Sequence, residues 1–100
     1  MRHVRVATYG ITKGTFEDVA GRAKTGMLPK FQQQPGFIRY GVADVGGGNL
    51  LSISLWDTHE QAEAAAPVAA EWVKDNMAGE LELRTNQTGD FAFWQGVPKA

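Results

Sequence analysis

The stretch Gly36–Glu63, GFIRYGVADVGGGNLLSISLWDTHEQAE, decides the fold. Residues 37–45 and 50–56 are apolar, strand-like runs that meet across VGGGN, where Gly and Asn accept the positive φ that a hairpin loop demands. The second run ends at Trp56 and passes straight into a helix start. Asp57 with Glu60, or Thr58 with Gln61, stand at capping distance there.

Working outward from the hairpin, Val4 and Val6 alternate with Arg5 and Ala7, the period of a half-buried strand that ends near Tyr9–Gly10. Thr15 and Asp18 form an approximate capping box. Phe16, Val19, Ala20, Ala23, Met27 and Phe31 then recur at helical spacing. A first helix over about 15–34 is expected, with a kink or break at Pro29 and a stop at Pro35–Gly36. After the hairpin, Ala62, Ala65, Ala66, Ala69, Trp72, Val73 and Met77 stripe a second helix. Pro67 predicts a kink in it, and Gly79 ends it. Leu81–Arg84 reads as an extended arm, Gly89–Asp90 as a turn, and Phe91–Gln95 as the last strand. The tail after Gly96 is expected to be loose, and residues 1–100 to be a single domain.

The order βαββαβ predicts an α+β, ferredoxin-like fold: a four-stranded antiparallel sheet with two helices on one face. The helix-covered face is expected to carry Val4, Val6, Ile38, Tyr40, Val42, Leu51, Ile53, Leu55, Phe91 and Phe93. The other would carry Ala7, Tyr9, Phe37, Arg39, Gly41, Ala43, Ser52, Ser54, Trp56, Ala92 and Trp94. Aromatic side chains among small ones, with a single arginine, do not make a wetted surface. They suit packing against a second copy about a twofold axis, a homodimer. The alternative is that the Glu80–Thr88 arm folds back over this face.

Composition excludes several classes. The chain has no cysteine, so disulfides and thiolate metal sites are out. Its net charge of −1 gives no electrostatic footprint for nucleic acid. Arg2 and Arg5 beside His3 read as a solvated basic strand edge. A spanning helix needs about 20 apolar residues, and Ala64–Ala70 is short and holds Pro67. The MRHVRVATYG start lacks a signal-peptide core, so a cytoplasmic location is expected. Asp57-x-His59 is no metal signature, and His3 and His59 lie far apart in sequence, so no metal is expected. GGGN lacks the strand and helix of a nucleotide-binding loop.

QQQPGFIRYGVAD, LLSISLWDTHEQAEAA and VAAEWVKDNM together resemble the small antibiotic-biosynthesis-monooxygenase-like domains of the dimeric α/β-barrel superfamily. The resemblance spans the chain from its first strand to Trp94. It implies two sheets pairing into a shared barrel. It also implies binding of an aromatic or hydrophobic small molecule, with cofactor-independent oxygenation of a quinol or anthrone as candidate chemistry. A non-catalytic ligand-binding or interaction module of the same fold is the alternative. Haem-degrading relatives carry an axial histidine on the second helix, and residues 60–77 hold none here.

Cofactor-free oxygenation requires an apolar pocket, a base, and donors for an anion, so no cofactor is expected. Trp56, Trp72, Trp94 and Tyr9 are the candidate substrate-binding residues. His59, Arg39 and Tyr40 are the candidate catalytic ones, His59 as base and the others as anion stabilisers. Each has a plainer role. Trp72 fits the core stripe, and Trp56 and Trp94 fit dimer packing. His59 would sit exposed at a helix N-terminus, whose dipole favours the neutral ring. Arg39 should pair with Asp44 or Asp57, or meet a ligand anion.

Overall fold

The computed structural model describes residues 2–96. The order is β1 (His3–Ile11), α1 (Phe16–Arg22), a π-helical segment (Ala23–Met27), α2 (Leu28–Gln32), β2 (Phe37–Gly46), β3 (Asn49–Trp56), α3 (His59–Asn76) and β4 (Leu81–Asp90). The strands form one antiparallel sheet in the order β2-β3-β1-β4, the ferredoxin-like arrangement. The expected loose tail after Gly96 lies outside the described residues.

Local chemistry explains the boundaries. Gly46, Gly47 and Gly48 all have positive φ in the hairpin turn. Thr15 caps α1 by accepting from the Asp18 N–H at 3.2 Å. Thr58 and Gln61 form a complete capping box on α3. α1, the π segment and α2 make one helical run, and its irregularity falls before Pro29 rather than at it. The Leu28 N–H reaches back to the Ala23 carbonyl, a wide turn that delivers Pro29 into the first turn of α2, where no N–H is needed. α3 runs unbroken through Pro67 and stops at Asn76, three residues before Gly79 (φ +81°).

Two expectations are corrected. The last strand is β4, Leu81–Asp90, and the Phe91–Gln95 segment is not a strand. What reads as an arm pairs with β1 along its length, so it cannot lie across a sheet face. Second, the faces of β1 and β3 are exchanged. Ala7, Tyr9, Ser52, Ser54 and Trp56 lie under the helices with Val19, Ala23, Met27, Phe31 and Trp72. Val4, Val6, Leu51, Ile53 and Leu55 lie on the opposite face with Arg39, Gly41 and Ala43. In β2, Tyr40 and Val42 do face the helices as expected, and a register shift between Phe37 and Arg39 also turns Phe37 inward.

Size explains the exchange. Ala7, Ser52 and Ser54 leave room above the sheet for the large helix side chains. The Ser54 hydroxyl also accepts from Trp56 Nε1 at 2.9 Å, which lets the indole be 99 % buried with its N–H satisfied. Trp56 meets Phe31 and Phe37 edge-on, at 5.6 and 5.4 Å between ring centroids. Away from these aromatics, the Arg22 guanidinium donates to the Glu80 carboxylate and the Asn76 carbonyl, tying the first helical run to the end of α3.

Pro35–Gly36 does more than stop a helix. Gly36 has φ +79°, its carbonyl accepts from the Asp57 N–H at 2.9 Å, and a Cβ there would lie 1.8 Å from Gln61 Oε1 of the capping box. Gly36→Ala should therefore lower stability by at least about 1 kcal/mol. Gly21→Ala, helical and with open space around its Cβ, should raise it by roughly 0.5–1 kcal/mol. Urea unfolding of the two variants checks the pair.

Candidate functional site

The helix-covered face is not uniformly apolar. Odd-numbered residues of β1 point toward the helices, so the alternation that buries Ala7 and Tyr9 also buries Arg5, which is only 2 % exposed. The expected solvated basic edge is thus corrected at Arg5, while Arg2 is exposed. Arg5 Nε donates to Asn86 Oδ1 at 2.7 Å, and Nη2 donates to the Tyr9 hydroxyl at 3.3 Å. Among the described residues Arg5 has no carboxylate partner, and its Nη1 has no hydrogen-bond partner. A buried guanidinium held by neutral groups alone is an unusual arrangement, because desolvating a charge is costly unless an opposite charge compensates it.

Arg5 lines a cleft of about 420 Å³ between α3 and the β1–β4 pair. Ala66, Pro67, Ala70 and Val73 form its helix wall, and Tyr9, Leu83 and Asn86 its sheet wall. The alanines create the space, since a larger side chain at 66 or 70 would fill it. Lys74 stands at the rim as a second cation. This is the size and character of a small-molecule pocket: mostly apolar walls with a few convergent polar groups.

A second space, among Tyr9, Phe31, Tyr40, Leu50, Ser52 and Trp72, has only about 20 Å³ open to a water centre. It holds about one water, so an aromatic ligand would need the core to open. Burial raises the Tyr40 phenol to about 12 and keeps it a protonated donor at neutral pH. The Ser52 hydroxyl opposes that shift, Tyr9 adds to it, and Arg5 opposes it.

A third cluster joins three elements. His3 on β1 is the direct cross-strand partner of Asp90 on β4, and His59 opens α3. His3 Nδ1 and His59 Nδ1 lie 2.6 and 2.7 Å from the same Asp90 Oδ1, and His59 Nε2 lies 3.3 Å from Glu63 Oε1. Contrary to the expectation of a neutral ring, His59 is pushed above the ordinary histidine value by the Asp90 hydrogen bond, with the Asp90, Glu63 and Glu60 charges adding to it and desolvation opposing it. The bonds from His59 and His3 hold Asp90 below the usual carboxylate range.

The expected site residues therefore fall in different places. Tyr9 lines both the cleft and the small cavity, while Trp72 and Tyr40 line only the latter of the two. Trp56 is deep core. Arg39 and Trp94 lie on the helix-free face, where Trp94 is 64 % exposed and packs on Phe91, and Arg39 makes no ion pair among the described residues. His59 joins His3 and Asp90. Sequence reasoning missed Arg5, Asn86, His3 and Asp90. Strand parity could have found the first and third, since both share the face of Ala7. The others needed the β4 assignment.

The fold is that of antibiotic-biosynthesis-monooxygenase-like proteins. SnoaB, a cofactor-independent oxygenase from Streptomyces nogalater, superposes with a TM-score of 0.62 at 18 % identity, over 98 % of this chain and 98 % of its own. A protein described as a candidate antibiotic biosynthesis monooxygenase from Nitrosomonas europaea gives 0.67 at 16 % identity, over 95 % and 94 %. MupZ from Pseudomonas fluorescens gives 0.69 at 11 % identity, over 87 % and 69 %. No family profile matches the sequence, and no curated protein matches it.

The Tyr40 shift gives a pH window. Its pKa in the folded chain exceeds the unfolded value of 10.0, so between 10 and about 12 the native state holds the extra proton. Its contribution is complete below pH 10 and is lost as pH rises toward 12. Wild-type stability should fall by roughly 1–3 kcal/mol more than that of Tyr40→Phe across this interval. Chemical denaturation at pH 9 to 12 reads the difference.

Proposed function

We propose that the protein binds an aromatic small molecule bearing an acidic oxygen, such as a phenolate or enolate, in the α3–β4 cleft, and oxygenates it without a cofactor. The observation that carries this reading is the buried Arg5 guanidinium, which faces an apolar cleft without a carboxylate partner. A ligand oxyanion at Nη1 would supply the missing charge. Tyr9 and Asn86 hold the guanidinium in place for it. Likeness in fold to a cofactor-independent oxygenase supports the chemical class.

For an anthrone-like substrate the balance is self-contained. The ring CH₂ becomes C=O, one oxygen of O₂ is retained, and the other leaves as water with both hydrogens. The substrate supplies all four electrons. The protein's part is to stabilise the anion that donates the first electron and to exclude water. In this reading Arg5 takes the role expected of Arg39, and His59 remains the candidate base, at the α3 end nearest the start of β1. Trp72 and Tyr40 line the small cavity beyond Tyr9, which a ligand would reach only if the core opened. Trp56 supports the Phe31 wall of that cavity from the core.

Dithranol, an electron-rich anthrone, is the test substrate, with 1,8-dihydroxyanthraquinone as the non-reacting probe. Wild-type protein should bind the anthraquinone and speed oxygen uptake with dithranol. Arg5→Met should weaken binding about 10–100-fold, the worth of a charge-assisted hydrogen bond. Equal binding by wild type and Arg5→Met would remove the cleft assignment. Binding without oxygen uptake would favour the non-catalytic module.

The same reading includes a homodimer through the helix-free face. Val4, Val6, Leu51, Ile53 and Leu55 form a continuous aliphatic surface there, extended by Phe91 and Trp94. An apolar sheet face of this extent is characteristic of an interface, and a second copy offers the same surface in return. Ile53→Lys, at a position 36 % exposed in the isolated chain, should halve the mass measured by light scattering and leave the helical circular dichroism signal intact.

A further inference from the structure

We infer that His3, His59 and Asp90 form a binding site for a divalent transition-metal ion of the zinc and iron(II) class. This site uses none of Arg5, Tyr9 or Asn86, and it shares only His59, the candidate base, with the ligand reading above.

Two imidazoles and one carboxylate are the ligand set that such ions take when a coordination position stays open. Here the three groups come from separate elements and converge on one point. One ligand atom from each residue lies within 4.8 Å of the other two, and both Nδ1 atoms contact the same Asp90 Oδ1. The rings stand nearly perpendicular, at 86°, with centroids 6.3 Å apart, so their nitrogens approach a common centre from different directions. With metal–ligand bonds of about 2.0–2.1 Å, neighbouring ligand atoms of a tetrahedral site lie roughly 3.3 Å apart. To admit the ion in place of protons, the 2.6 and 2.7 Å contacts open by less than an ångström and the widest separation, up to 4.8 Å, closes by roughly 1.5 Å.

The supports are rigid. His3 and Asp90 are held in register by the β1–β4 ladder, and His59 sits in the first turn of a helix fixed by its capping box. Glu63, one turn along α3, reaches His59 Nε2 at 3.3 Å. That is the outer carboxylate which commonly orients a metal-bound imidazole. Neutral imidazoles with two carboxylates leave the cluster with two negative charges, which suits a dication. The side chains of His3, His59 and Asp90 are 20, 40 and 51 % exposed, so an ion can enter and keep a water. Arg5 lies two residues from His3 on the same face of β1, a rise of about 7 Å. None of the three ligands lines the α3–β4 cleft itself.

The test uses metal-stripped full-length protein, Zn²⁺ alone for calorimetry, and Co²⁺ alone for visible spectroscopy. One ion should bind per chain, with a Co²⁺ spectrum of less than six-coordinate geometry. His3→Asn, His59→Asn and Asp90→Asn should each weaken binding at least about tenfold, and Glu63→Gln should weaken it about 10-fold or more as an outer-shell partner. The chain has only two histidines, both in the cluster, so proton NMR of wild type gives a readout free of any folding defect in the variants. Both imidazole spectra must move together with one equivalent of Zn²⁺. Unmoved imidazole resonances, or undiminished binding in the double variant His3→Asn/His59→Asn, would overturn the assignment.

Discussion

The parity of β1 is the constraint on which the rest of the molecule depends. β1 lies between β3 and β4, so its residues are locked by two ladders at once. A one-residue slip would move every side chain to the opposite face. In the observed register Ala7 and Tyr9 enter the core, and Arg5 and His3 go with them. The buried guanidinium and the histidine cluster are thus consequences of the same alternation that builds the hydrophobic layer. Val4 and Val6, the more apolar pair, are sent to the helix-free face.

This distribution sets where open space remains beside the sheet. The space above β1, β2 and β3 is filled by Phe31, Trp56 and Trp72, and room for about one water remains there. Above β1 and β4, by contrast, α3 presents Ala66 and Ala70, and a cleft stays open. The polar groups of the helix-covered side border that opening. Arg5, Asn86 and Tyr9 line it, and His3, Asp90 and His59 gather where β1 begins and α3 starts. Small residues on one helix face, rather than any loop, define the cleft.

Much of the fold was legible in the primary structure because it rests on local chemistry. The glycine turn after Val45, the Thr58–Gln61 capping box and the stop at Pro35–Gly36 each act within a few residues, and all three are found where their residue types predict. The stripe Ala62, Ala65, Ala69 and Trp72 is buried as its spacing requires. The location of the last strand was not legible. Leu81–Asp90 is polar along much of its length, and it is a strand because β1 offers it a ladder.

By itself, then, the sequence determined the order of strands and helical runs, and through that order the ferredoxin-like topology. Backbone caps, turns and apolar periodicity carry that information locally. Only the tertiary structure decided which face of the sheet the helices cover. Hydrophobicity separates two faces only when one is wetted, and here Val4, Ile53 and Leu55 on one side compete with Tyr9 and Trp56 on the other. Side-chain volume settled it: the face of Ala7, Ser52 and Ser54 has the depth to receive Phe31, Met27 and Trp72. The meeting of His3, His59 and Asp90 was likewise a tertiary outcome, since residues 56 and 87 positions apart are joined only by the β1–β4 register and the start of α3.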